Sequence, residues 1–310
     1  MTVPMSAPPK ASLADITVSM VIYNSLRLLQ ARQGWLAALP HLCIVDNASS
    51  DGSADWIAIH LPQARLLRCD ENQGFGRGHN LAVQHCDTPF ALLLNPDCEI
   101  DTEAMRRLVD CLEDFPGALL TVPRLVYPDG REQDNHRGFT IEGGRPMAHY
   151  RPPDGPACCE MVSGAAMMVR VQAFRELGGF DPWFFLYWED EDLCYRAWAE
   201  RRAVIFEPRV VACHAEKKSA APSARTQFIT QYSYSTSKLY LRRKCGESLP
   251  LLGVRVLGLF AANLLGLLLD ALRFKPAKVV RRLAGVTAAL TAPVQLARER
   301  AVSSPLKLLR

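Results

Sequence analysis

The chain has 310 residues, of which 49% are hydrophobic and 22% are charged. These values are typical of a protein with a sizeable buried core, and they exclude a disordered, fibrous or low-complexity chain. The net charge of +4 is unevenly distributed, because residues 1–215 carry 19 Lys and Arg against 28 Asp and Glu, whereas residues 216–310 carry 17 against 4. The sequence therefore predicts an acidic main part followed by a basic tail.

Short apolar runs alternate with amphipathic stretches from Ile16 onward. The pattern predicts strands at 16–22, 41–45, 65–69, 90–94, 119–122, 161–169, 203–206 and 210–213, and helices at 26–39, 53–60, 76–85, 101–114, 171–177 and 189–201. Alternating strands and helices predict an α/β fold with a mostly parallel, doubly wound sheet, in which ligands bind at the carboxyl ends of the strands. Residues 123–159 show little periodicity and are expected to form loops and short strands.

The chain contains ten cysteines but no CxxC pair. A protein of this length needs no disulfide framework, so we predict reduced, mostly buried thiols in a cytosolic protein. The first residues contain one Lys, three Pro and no continuous apolar core. We therefore expect no signal peptide and a disordered leader over residues 1–14.

Asp46 directly follows the apolar run at 42–45, which places its carboxylate at the end of the second strand. There it can accept hydrogen bonds from a nucleobase or a ribose. The alternative interpretation is an Asp that caps the following turn, residues 47–52.

A glycine-rich loop at 72–80 follows a strand and opens a helix, so its main-chain N–H groups can face phosphates. The loop matches neither G-x-G-x-x-G nor the P-loop, so a dinucleotide fingerprint and an NTPase are not supported. A plain strand-to-helix turn is the alternative.

Two further strand ends carry candidate metal ligands. Asn95-Pro96-Asp97 ends the strand at 90–94, and His214 follows the run at 210–213. Mg²⁺ and Mn²⁺ prefer oxygen ligands and bridge proteins to phosphates, so Asp97 is a candidate ligand. A helix-entry turn is the alternative for Asp97, and His214 is either a ligand or a structural histidine.

Four consecutive acidic residues, 189–192, directly follow a segment rich in aromatic side chains. Mutual repulsion in a partly apolar cleft raises the pKa of at least one carboxyl group, as a general base requires. A helix that begins near Glu189 also places these carboxylates at its positive end. A general base is therefore one interpretation, and a solvated helix N-terminus is the other.

Taken together, these segments resemble the family 2 glycosyltransferases, which are inverting enzymes with the GT-A fold, and within them the bacterial rhamnosyltransferase-like branch. The resemblance covers roughly residues 16–240. It rests on segments that stand in the family's order, namely 18–24, 45–53, 72–80, 94–97, 163–167, 178–181, 189–194 and His214.

The resemblance implies a role for each matched position. The nucleotide-binding positions that it implies are Asp46, which recognises the base, Asn72, Gly74 and Asn80. Asp97 and His214 bind a divalent metal, Mg²⁺ or Mn²⁺, that neutralises the departing nucleoside diphosphate. Asn95 stands where the family's D-x-D motif has its first acid, and proteins of the rhamnosyltransferase-like branch commonly share that Asn.

For the transfer itself, the resemblance implies that Asp190 is the general base that deprotonates the acceptor hydroxyl. Gly164 lets the chain approach the donor sugar, and Glu189 joins Asn95 among the residues of the donor and acceptor site. The implied donor is a nucleotide sugar, with dTDP-L-rhamnose as the leading candidate. The implied acceptor is a polyprenyl-diphosphate-linked saccharide used in O-antigen or cell-wall synthesis.

Residues 249–272 are strongly apolar but contain Arg255, Asn263 and Asp270. The longest uncharged run, 256–269, has 14 residues, short of the ~20 that span a bilayer. At about 100° per residue, the three polar residues fall within roughly a quarter of the helix circumference. With the basic cluster at 273–282, this predicts association with an anionic membrane surface; a helix that packs on the domain is the alternative. No nucleic-acid site is expected, because aromatic residues are not interleaved with these charges.

We therefore expect a GT-A domain over residues 15–245 and an amphipathic helical region over residues 246–310. The protein is expected to be cytoplasmic and peripheral on the inner face of the plasma membrane. A UDP-hexose donor and a catalytically degenerate sugar-nucleotide-binding protein remain alternatives. A sugar nucleotidyltransferase would need a glycine-rich basic loop after the first strand, where Tyr23-Asn24-Ser25 stands instead.

Overall fold

A computed structural model describes residues 10–137, 154–215 and 223–298 of the chain. Within these residues the chain divides into two compact units, one drawn from Met1–Pro182 and Asp190–Ala220 and the other from Trp183–Glu189 and Ala221–Arg310. The predicted boundary at residue 245 therefore falls inside the second unit, between two of its helices. Residues 138–153 of the predicted loop and 299–310 of the predicted tail lie outside the described residues.

The first unit is built around a mixed sheet. The strands are β1 (Ile16–Ile22), β2 (Leu42–Asp46), β3 (Arg65–Arg68), β4 (Phe90–Leu94), β5 (Cys98–Glu99), β6 (Ala118–Val126), β7 (His136–Arg137), β8 (Ala157–Cys158), β9 (Met161–Val162), β10 (Ala166–Arg170) and β11 (Ala203–His214). Their order in the main sheet is β3-β2-β1-β4-β10-β6-β11-β5, with β8 also paired to β11, while β7 and β9 form a separate pair.

The helices of the first unit follow the strands in alternation. They are α1 (Leu26–Ala31), α2 (Gln33–Ala37), α3 (Ser53–His60), α4 (Phe75–Gln84), α5 (Thr102–Asp114), α6 (Val171–Glu176) and α7 (Glu189–Ala199), whose first residue is grouped with the second unit. The N-cap of α5 is Asp101, whose side chain accepts a hydrogen bond from the Ala104 N–H at 2.6 Å.

Strands β3, β2, β1 and β4 are parallel, in agreement with the prediction. The other half of the sheet is mixed, because β10 runs antiparallel to both β4 and β6, whereas β11 runs parallel to β6. The register places Ile22 beside Asp46 and Met20 beside Leu94, so the carboxyl ends of β1, β2 and β4 lie at one edge.

Helices cover both faces of the sheet, as the side chains of β2 show. Leu42 and Ile44 belong to the core cluster that includes residues of α1, α2, α3 and α5, whereas Cys43 and Val45 pack with Ala82 of α4. Successive side chains of a strand point to opposite faces. Alternate β2 residues therefore contact two different helix layers, which confirms the predicted doubly wound α/β class.

Three predicted elements are interrupted. The predicted helix at 26–39 breaks at Arg32, which has φ −116° and separates α1 from α2. The predicted strand at 161–169 is split into β9 and β10 by residues 163–165. Conversely, the two strands predicted around Pro208 form the single strand β11, whose pairing with β6 shifts register between Glu207 and Val211. Pro208 has no N–H to donate, and a bulge accommodates such a residue.

The prediction of disorder is wrong for residues 10–14 of the leader, while residues 1–9 lie outside the described residues. The Lys10 and Ala11 N–H groups donate hydrogen bonds to Asp110 of α5 at 3.0 and 2.9 Å. Ser12 then caps a short 3₁₀ helix at Leu13–Asp15. A carboxylate that accepts several main-chain N–H groups fixes this segment in place.

The ten cysteines are all free thiols, as predicted, but only five of them are buried and Cys158 is exposed. Burial raises the pKa of Cys43 and Cys98 to about 12. Thiols of this kind are uncharged at neutral pH and behave as small apolar groups.

The second unit contains three long helices: α8 (Ala224–Lys244), α9 (Leu249–Leu272) and α10 (Pro276–Arg298). The segment Trp183–Glu189 packs on α8, with the Trp183 ring stacked on that of Tyr240 at a centroid distance of 3.8 Å. The Tyr232 hydroxyl of α8 hydrogen-bonds Thr291 of α10 at 2.9 Å. Within the described residues, α9 is the one helix long and apolar enough to cross a membrane, judged by length and composition alone.

Candidate active site

The predicted site residues of the first unit converge on one edge of the sheet. Asp46 ends β2, Asn95 follows β4, and His214 ends β11. Because β10 runs antiparallel to β4, it begins where β4 ends, and the Asn95 N–H donates to the Ala165 carbonyl at 2.9 Å. Gly164, one residue earlier, therefore lies at the same edge. The topology brings together residues that are more than 160 positions apart in the chain.

The Asp46 carboxylate is buried, and its two oxygens differ in their hydrogen bonding. Oδ2 accepts a hydrogen bond from the Ser49 N–H at 3.3 Å, whereas Oδ1 has no hydrogen-bond partner among the described residues. One oxygen thus caps the turn and the other remains available to a donor group. The turn-capping interpretation of Asp46 thus holds for one oxygen, and the nucleotide contact stays a prediction for the other, since a buried acceptor without a partner is costly unless a ligand satisfies it.

The glycine-rich loop between β3 and α4 is held at Gly74. The Gly74 N–H donates to Asn72 Oδ1 and the Gly74 carbonyl accepts from Asn47 Nδ2, both at 2.9 Å. Gly74 has φ +86°, which other residues rarely adopt. The loop therefore enters α4 in a conformation that depends on glycine, with the α4 N-terminus behind it.

Asn80 is engaged with the protein main chain. Its Nδ2 donates to the Phe180 carbonyl at 2.7 Å and its Oδ1 accepts from the Phe180 N–H at 2.8 Å. Both polar atoms of the side chain are therefore used in linking α4 to the segment after α6. This geometry gives Asn80 a structural contact, and the nucleotide contact that the resemblance implied stays a prediction, because the Nδ2 amide has a second hydrogen.

Asp97 and His214 form a buried pair. Asp97 Oδ1 lies 3.5 Å from His214 Nε2, and their side chains are 1% and 10% exposed. Asn95 Nδ2 also lies 3.5 Å from the same His214 nitrogen. The strand ends alone bring these side chains together, since Cys98 of β5 pairs with His214 of β11.

Gln133 was not identified by sequence reasoning, because it lies in the stretch without periodicity. Its Oε1 is 3.0 Å from His214 Nδ1, and its Nε2 donates to the His214 carbonyl at 2.6 Å. Arg32 was also missed, because its partner is 64 positions away in the chain: its guanidinium donates to the Pro96 carbonyl at 3.1 Å. Burial lowers the pKa of Arg32, against the opposing influence of neighbours that include Asp97. The two residues hold the histidine and the turn that carries Asp97.

The donor set fits a divalent cation. Bonds of about 2.1 Å at right angles place neighbouring ligand atoms of Mg²⁺ about 3 Å apart, close to the 3.5 Å between Asp97 Oδ1 and His214 Nε2. The described residues contain no group of three or more His, Cys, Asp or Glu side chains suited to a metal. Mg²⁺ characteristically uses one or two protein carboxylates together with substrate phosphates. Two ligands from the chain are therefore compatible with such a cation when substrate phosphates complete the coordination.

Asp190 contacts the chain at Gly164. Its Oδ2 accepts from the Gly164 N–H at 3.1 Å, and its Oδ1 accepts from the Glu191 N–H at 2.9 Å. A Cβ at position 164 would lie 3.6 Å from Asp190 Cβ and 3.3 Å from Phe75 Cζ. Two N–H donors stabilise the ionised carboxylate and fix its direction, and Gly164 allows this approach.

The remaining acids of the run 189–192 have separate surroundings. Asp192 is buried and pairs with Arg196 at 2.8 Å, and Arg196 also donates to the Leu177 and Gly179 carbonyls. Glu189 is buried at the start of α7. The run is therefore not a uniformly solvated helix terminus, and Asp192 serves to anchor α7.

The two residues that immediately precede Glu189 both have a left-handed backbone conformation. Tyr187 has φ +67° and Trp188 has φ +71°, although neither is glycine. Such residues cost about 1–3 kcal/mol each and persist only where the surroundings hold them. The Trp188 indole N–H donates to the Tyr234 carbonyl at 3.1 Å within the second unit. The chain thus enters α7 through a strained pair of aromatic residues.

Comparison with known protein families gives one match over more than half of the chain. The family model described as "Glycosyl transferase family 2" matches residues 17–178. That range contains β1 to α6, and with them Asp46, Asp97 and Gly164.

Curated relatives have similar descriptions. The chain is 25% identical over 202 residues to "Low-salt glycan biosynthesis hexosyltransferase Agl10" of Haloferax volcanii, covering 60% of this chain and 62% of the relative. It is 27% identical over 180 residues to "N-acetylglucosaminyl-diphospho-decaprenol L-rhamnosyltransferase" of Mycobacterium tuberculosis, covering 48% of this chain and 58% of the relative. The chain thus spans about three fifths of the length of these relatives.

Solved structures show the fold. GalNAc-T7 with UDP, GalNAc and Mn²⁺ matches with a TM-score of 0.52 at 16% identity, covering 72% of this chain and 47% of the other. The mannosyltransferase PcManGT from Pyrobaculum calidifontis, in complex with GDP-Man and Mn²⁺, matches with a TM-score of 0.52 at 15% identity. The match covers 98% of this chain and 83% of the other. These likenesses confirm the predicted GT-A fold.

Proposed function

Because the chain belongs to glycosyl transferase family 2, we propose that it is an inverting transferase that moves a sugar from a nucleotide donor to a hydroxyl group of a lipid-linked saccharide. One observation carries the proposal: at a single sheet edge, a carboxylate held by two N–H groups, Asp190, accompanies the buried pair Asp97 and His214. Ligands of such sheets bind at this edge. A base and a diphosphate-binding group are the two functions that the transfer needs.

The nucleotide is proposed to bind at Asp46 and the loop containing Asn72 and Gly74. Asp46 Oδ1, a buried acceptor without a partner in the described chain, suits an N–H group of a nucleobase or a hydroxyl group of a ribose. The N-terminus of α4 supports a position for phosphates behind the loop. Asn80 is not among the proposed nucleotide contacts, because Phe180 occupies both of its polar atoms.

Asp97 and His214 are proposed to hold a divalent cation, Mg²⁺ or Mn²⁺. A bound cation supplies positive charge that neutralises the diphosphate leaving group. Two structural neighbours were solved with Mn²⁺, which supports a metal of this class. The chain itself contributes the burial of both ligands and the hydrogen bonds through which Gln133 orients the imidazole.

Asp190 is proposed to accept the proton of the acceptor hydroxyl group. The hydroxyl oxygen forms a bond to the anomeric carbon from the face opposite the diphosphate, and the bond between that carbon and the diphosphate oxygen breaks. The electron pair leaves with the diphosphate, and the configuration of the sugar inverts. Glu189 and Asn95 remain proposed neighbours of the donor and acceptor.

For the substrates, we propose dTDP-L-rhamnose as donor and a polyprenyl-diphosphate-linked saccharide as acceptor, at the cytoplasmic face of the membrane. The name of the mycobacterial relative, a rhamnosyltransferase acting on a decaprenol-linked sugar, supports this choice. A UDP-hexose donor is the second candidate, and O-antigen or cell-wall synthesis is the process that such a product would serve.

The test is a panel of nucleotide sugars incubated with a polyprenyl-diphosphate-linked N-acetylglucosamine, with and without Mn²⁺. We expect transfer from dTDP-L-rhamnose. The one-bond C1–H1 coupling constant of the new linkage, measured by NMR, should show that the anomeric configuration is inverted. Asp190→Asn should lower the rate about 10²–10⁴-fold, while Asp87→Asn, at an exposed carboxylate, should leave the rate unchanged. Full activity of Asp190→Asn would remove the base assignment, and donor binding without transfer would favour a degenerate binding protein.

A further inference from the structure

Helix α9 has its polarity reversed relative to a helix of a water-soluble unit. Within it, Asp270 is buried, whereas apolar residues are exposed. Five exposed apolar residues share one face, because at about 100° per residue they fall within roughly a quarter of the helix circumference: Val254, Leu257, Leu265, Leu268 and Leu272, at 59–77% exposure. We call this set the leucine face. A soluble helix places its apolar stripe towards the core, so the leucine face needs an apolar environment outside the protein.

Two of the three polar residues of α9, Asn263 and Asp270, face α10, whereas Arg255 pairs with Glu247. Asp270 pairs with Arg282 at 3.2 Å, and its side chain is only 9% exposed. A Cβ at Gly285 would come within 2.6 Å of the Asn263 side chain, so the two helices approach closely there. Helix α10 thus sequesters the polar stripe of α9 and leaves the opposite, apolar face uncovered.

The turn that joins α9 to α10 is both apolar and basic. Phe274 is 91% exposed, and the basic residues around it are also exposed: Arg273, Lys275, Lys278 and Arg281. Residues 223–298 contain only two acids, Glu247 and Asp270. Both of these acids are ion-paired within the unit. The surface beside the leucine face therefore carries positive charge without an acidic partner.

We propose that α9 lies in the plane of an anionic lipid bilayer, with its leucine face among the acyl chains and the basic turn against the headgroups. An amphipathic helix with basic flanks binds membranes in this way. The inference deepens the proposed function, on which it rests for the lipid-linked acceptor, but it concerns a surface of the second unit alone.

Two other ways to cover the leucine face fit the observations less well: a helix that spans the membrane and a second copy of the chain. A membrane-spanning α9 would carry Arg255 and Asp270 towards the hydrocarbon or break their pairs with Glu247 and Arg282, and the uncharged run between these charges has only 14 residues. A second copy of the chain would bring two basic turns together, with no unpaired acid among residues 223–298 to balance them. Anionic lipid supplies both the apolar phase and the opposite charge.

The experiment is flotation of the full chain with vesicles of phosphatidylcholine alone or mixed with phosphatidylglycerol. We expect flotation with the mixed vesicles, weakened by salt. Leu257→Gln/Leu265→Gln/Leu268→Gln should abolish it, whereas Ile59→Gln, at an exposed apolar residue of the first unit, should float like the wild type. On mixed vesicles only, each charge removed in the double variant Lys275→Gln/Lys278→Gln should weaken binding about fivefold. The control Arg131→Gln should leave binding unchanged.

Equal flotation of the leucine variant and the wild type would overturn the proposal, as would failure of the wild type to float. Resistance to extraction at alkaline pH would instead indicate a spanning helix. A dimer in light scattering that the leucine variant dissociates would indicate a second copy. Flotation uses no donor or acceptor, so a protein that floats but transfers no sugar would refute the proposed function and leave this inference standing.

Discussion

Gln133 and His214 are joined by two hydrogen bonds that together determine which nitrogen of the neutral imidazole carries the proton. The His214 carbonyl needs a donor, so the Gln133 amide must present Nε2 to it at 2.6 Å. Oε1 then faces His214 Nδ1 at 3.0 Å, and a carbonyl oxygen can only accept. Nδ1 therefore carries a proton, and when the ring is neutral its lone pair lies on Nε2, the nitrogen that faces Asp97. A histidine prepared in this way is suited to bind a metal.

Replacing Gln133 by Met should therefore weaken Mn²⁺ binding about 10–100-fold, the usual effect of losing a partner that orients a ligand. The measurement is calorimetric titration of the enzyme with Mn²⁺. Gln172→Met, at an exposed glutamine of α6, is the matched control and should bind Mn²⁺ like the wild type. Unchanged Mn²⁺ affinity in Gln133→Met would show that His214 is not a ligand or needs no orientation.

Asn80→Leu should destabilise the protein without changing nucleotide affinity. The change leaves the Phe180 N–H and carbonyl without the hydrogen bonds at 2.8 and 2.7 Å, and each unsatisfied buried group costs about 1–3 kcal/mol. Urea unfolding measures the loss, with Gln84→Leu, at an exposed position of the same helix, as the neutral control. A variant of normal stability that no longer binds the nucleoside diphosphate would restore the nucleotide role of Asn80.

The free energy of unfolding should fall in acid because of His79. This residue is fully buried, its Nδ1 lies 2.8 Å from Ser19 Oγ, and burial lowers its pKa from 6.5 to about 3. The unfolded chain therefore takes up the proton first. Above pH 6.5 the group contributes no pH dependence, and between pH 6.5 and about 3 it lowers stability by about 1.4 kcal/mol per pH unit.

The comparison is with His79→Asn, which has no such titration. Its unfolding free energy, measured in urea at a series of pH values, should decline less steeply than that of the wild type below pH 6.5. His41→Asn, at an exposed histidine, should keep the wild-type slope. Parallel curves for the wild type and His79→Asn would show that His79 accepts its proton without a penalty in the folded protein.

The sequence was sufficient to predict the location of site residues that follow the ends of strands. Asp46 and His214 come directly after an apolar run and Asp97 comes within three residues of one, and parallel strands bring such ends to one edge, so their proximity was predictable. The position of Gln133 was not predictable, because its partner lies 81 residues further on and residues 123–159, which contain Gln133, show little periodicity. Asn80 shows the same limit, since a partner 100 residues away takes both amide atoms.

The predicted helix at 26–39 marks a second kind of limit. Its apolar pattern continues through Arg32, but the backbone breaks there, and the guanidinium contacts both Trp35 and the Pro96 carbonyl. A tertiary contact of this kind overrides the local pattern. The polarity of α9 was likewise only half visible: spacing placed Arg255, Asn263 and Asp270 on one side, but the sequence did not indicate that α10 would cover that side.

The order of α9 and α10 along the chain has a consequence in time. Helix α9 ends at Leu272 and α10 ends at Arg298, so during synthesis the leucine face is complete about 1–5 s before the last turn of its polar partner leaves the ribosome. In that interval Asp270 lacks Arg282 and Asn263 is not covered by α10, so the helix exposes apolar and polar surface together. Early contact with lipid would shorten this aggregation-prone interval, so the yield of soluble chain should depend on whether a membrane is present while translation proceeds.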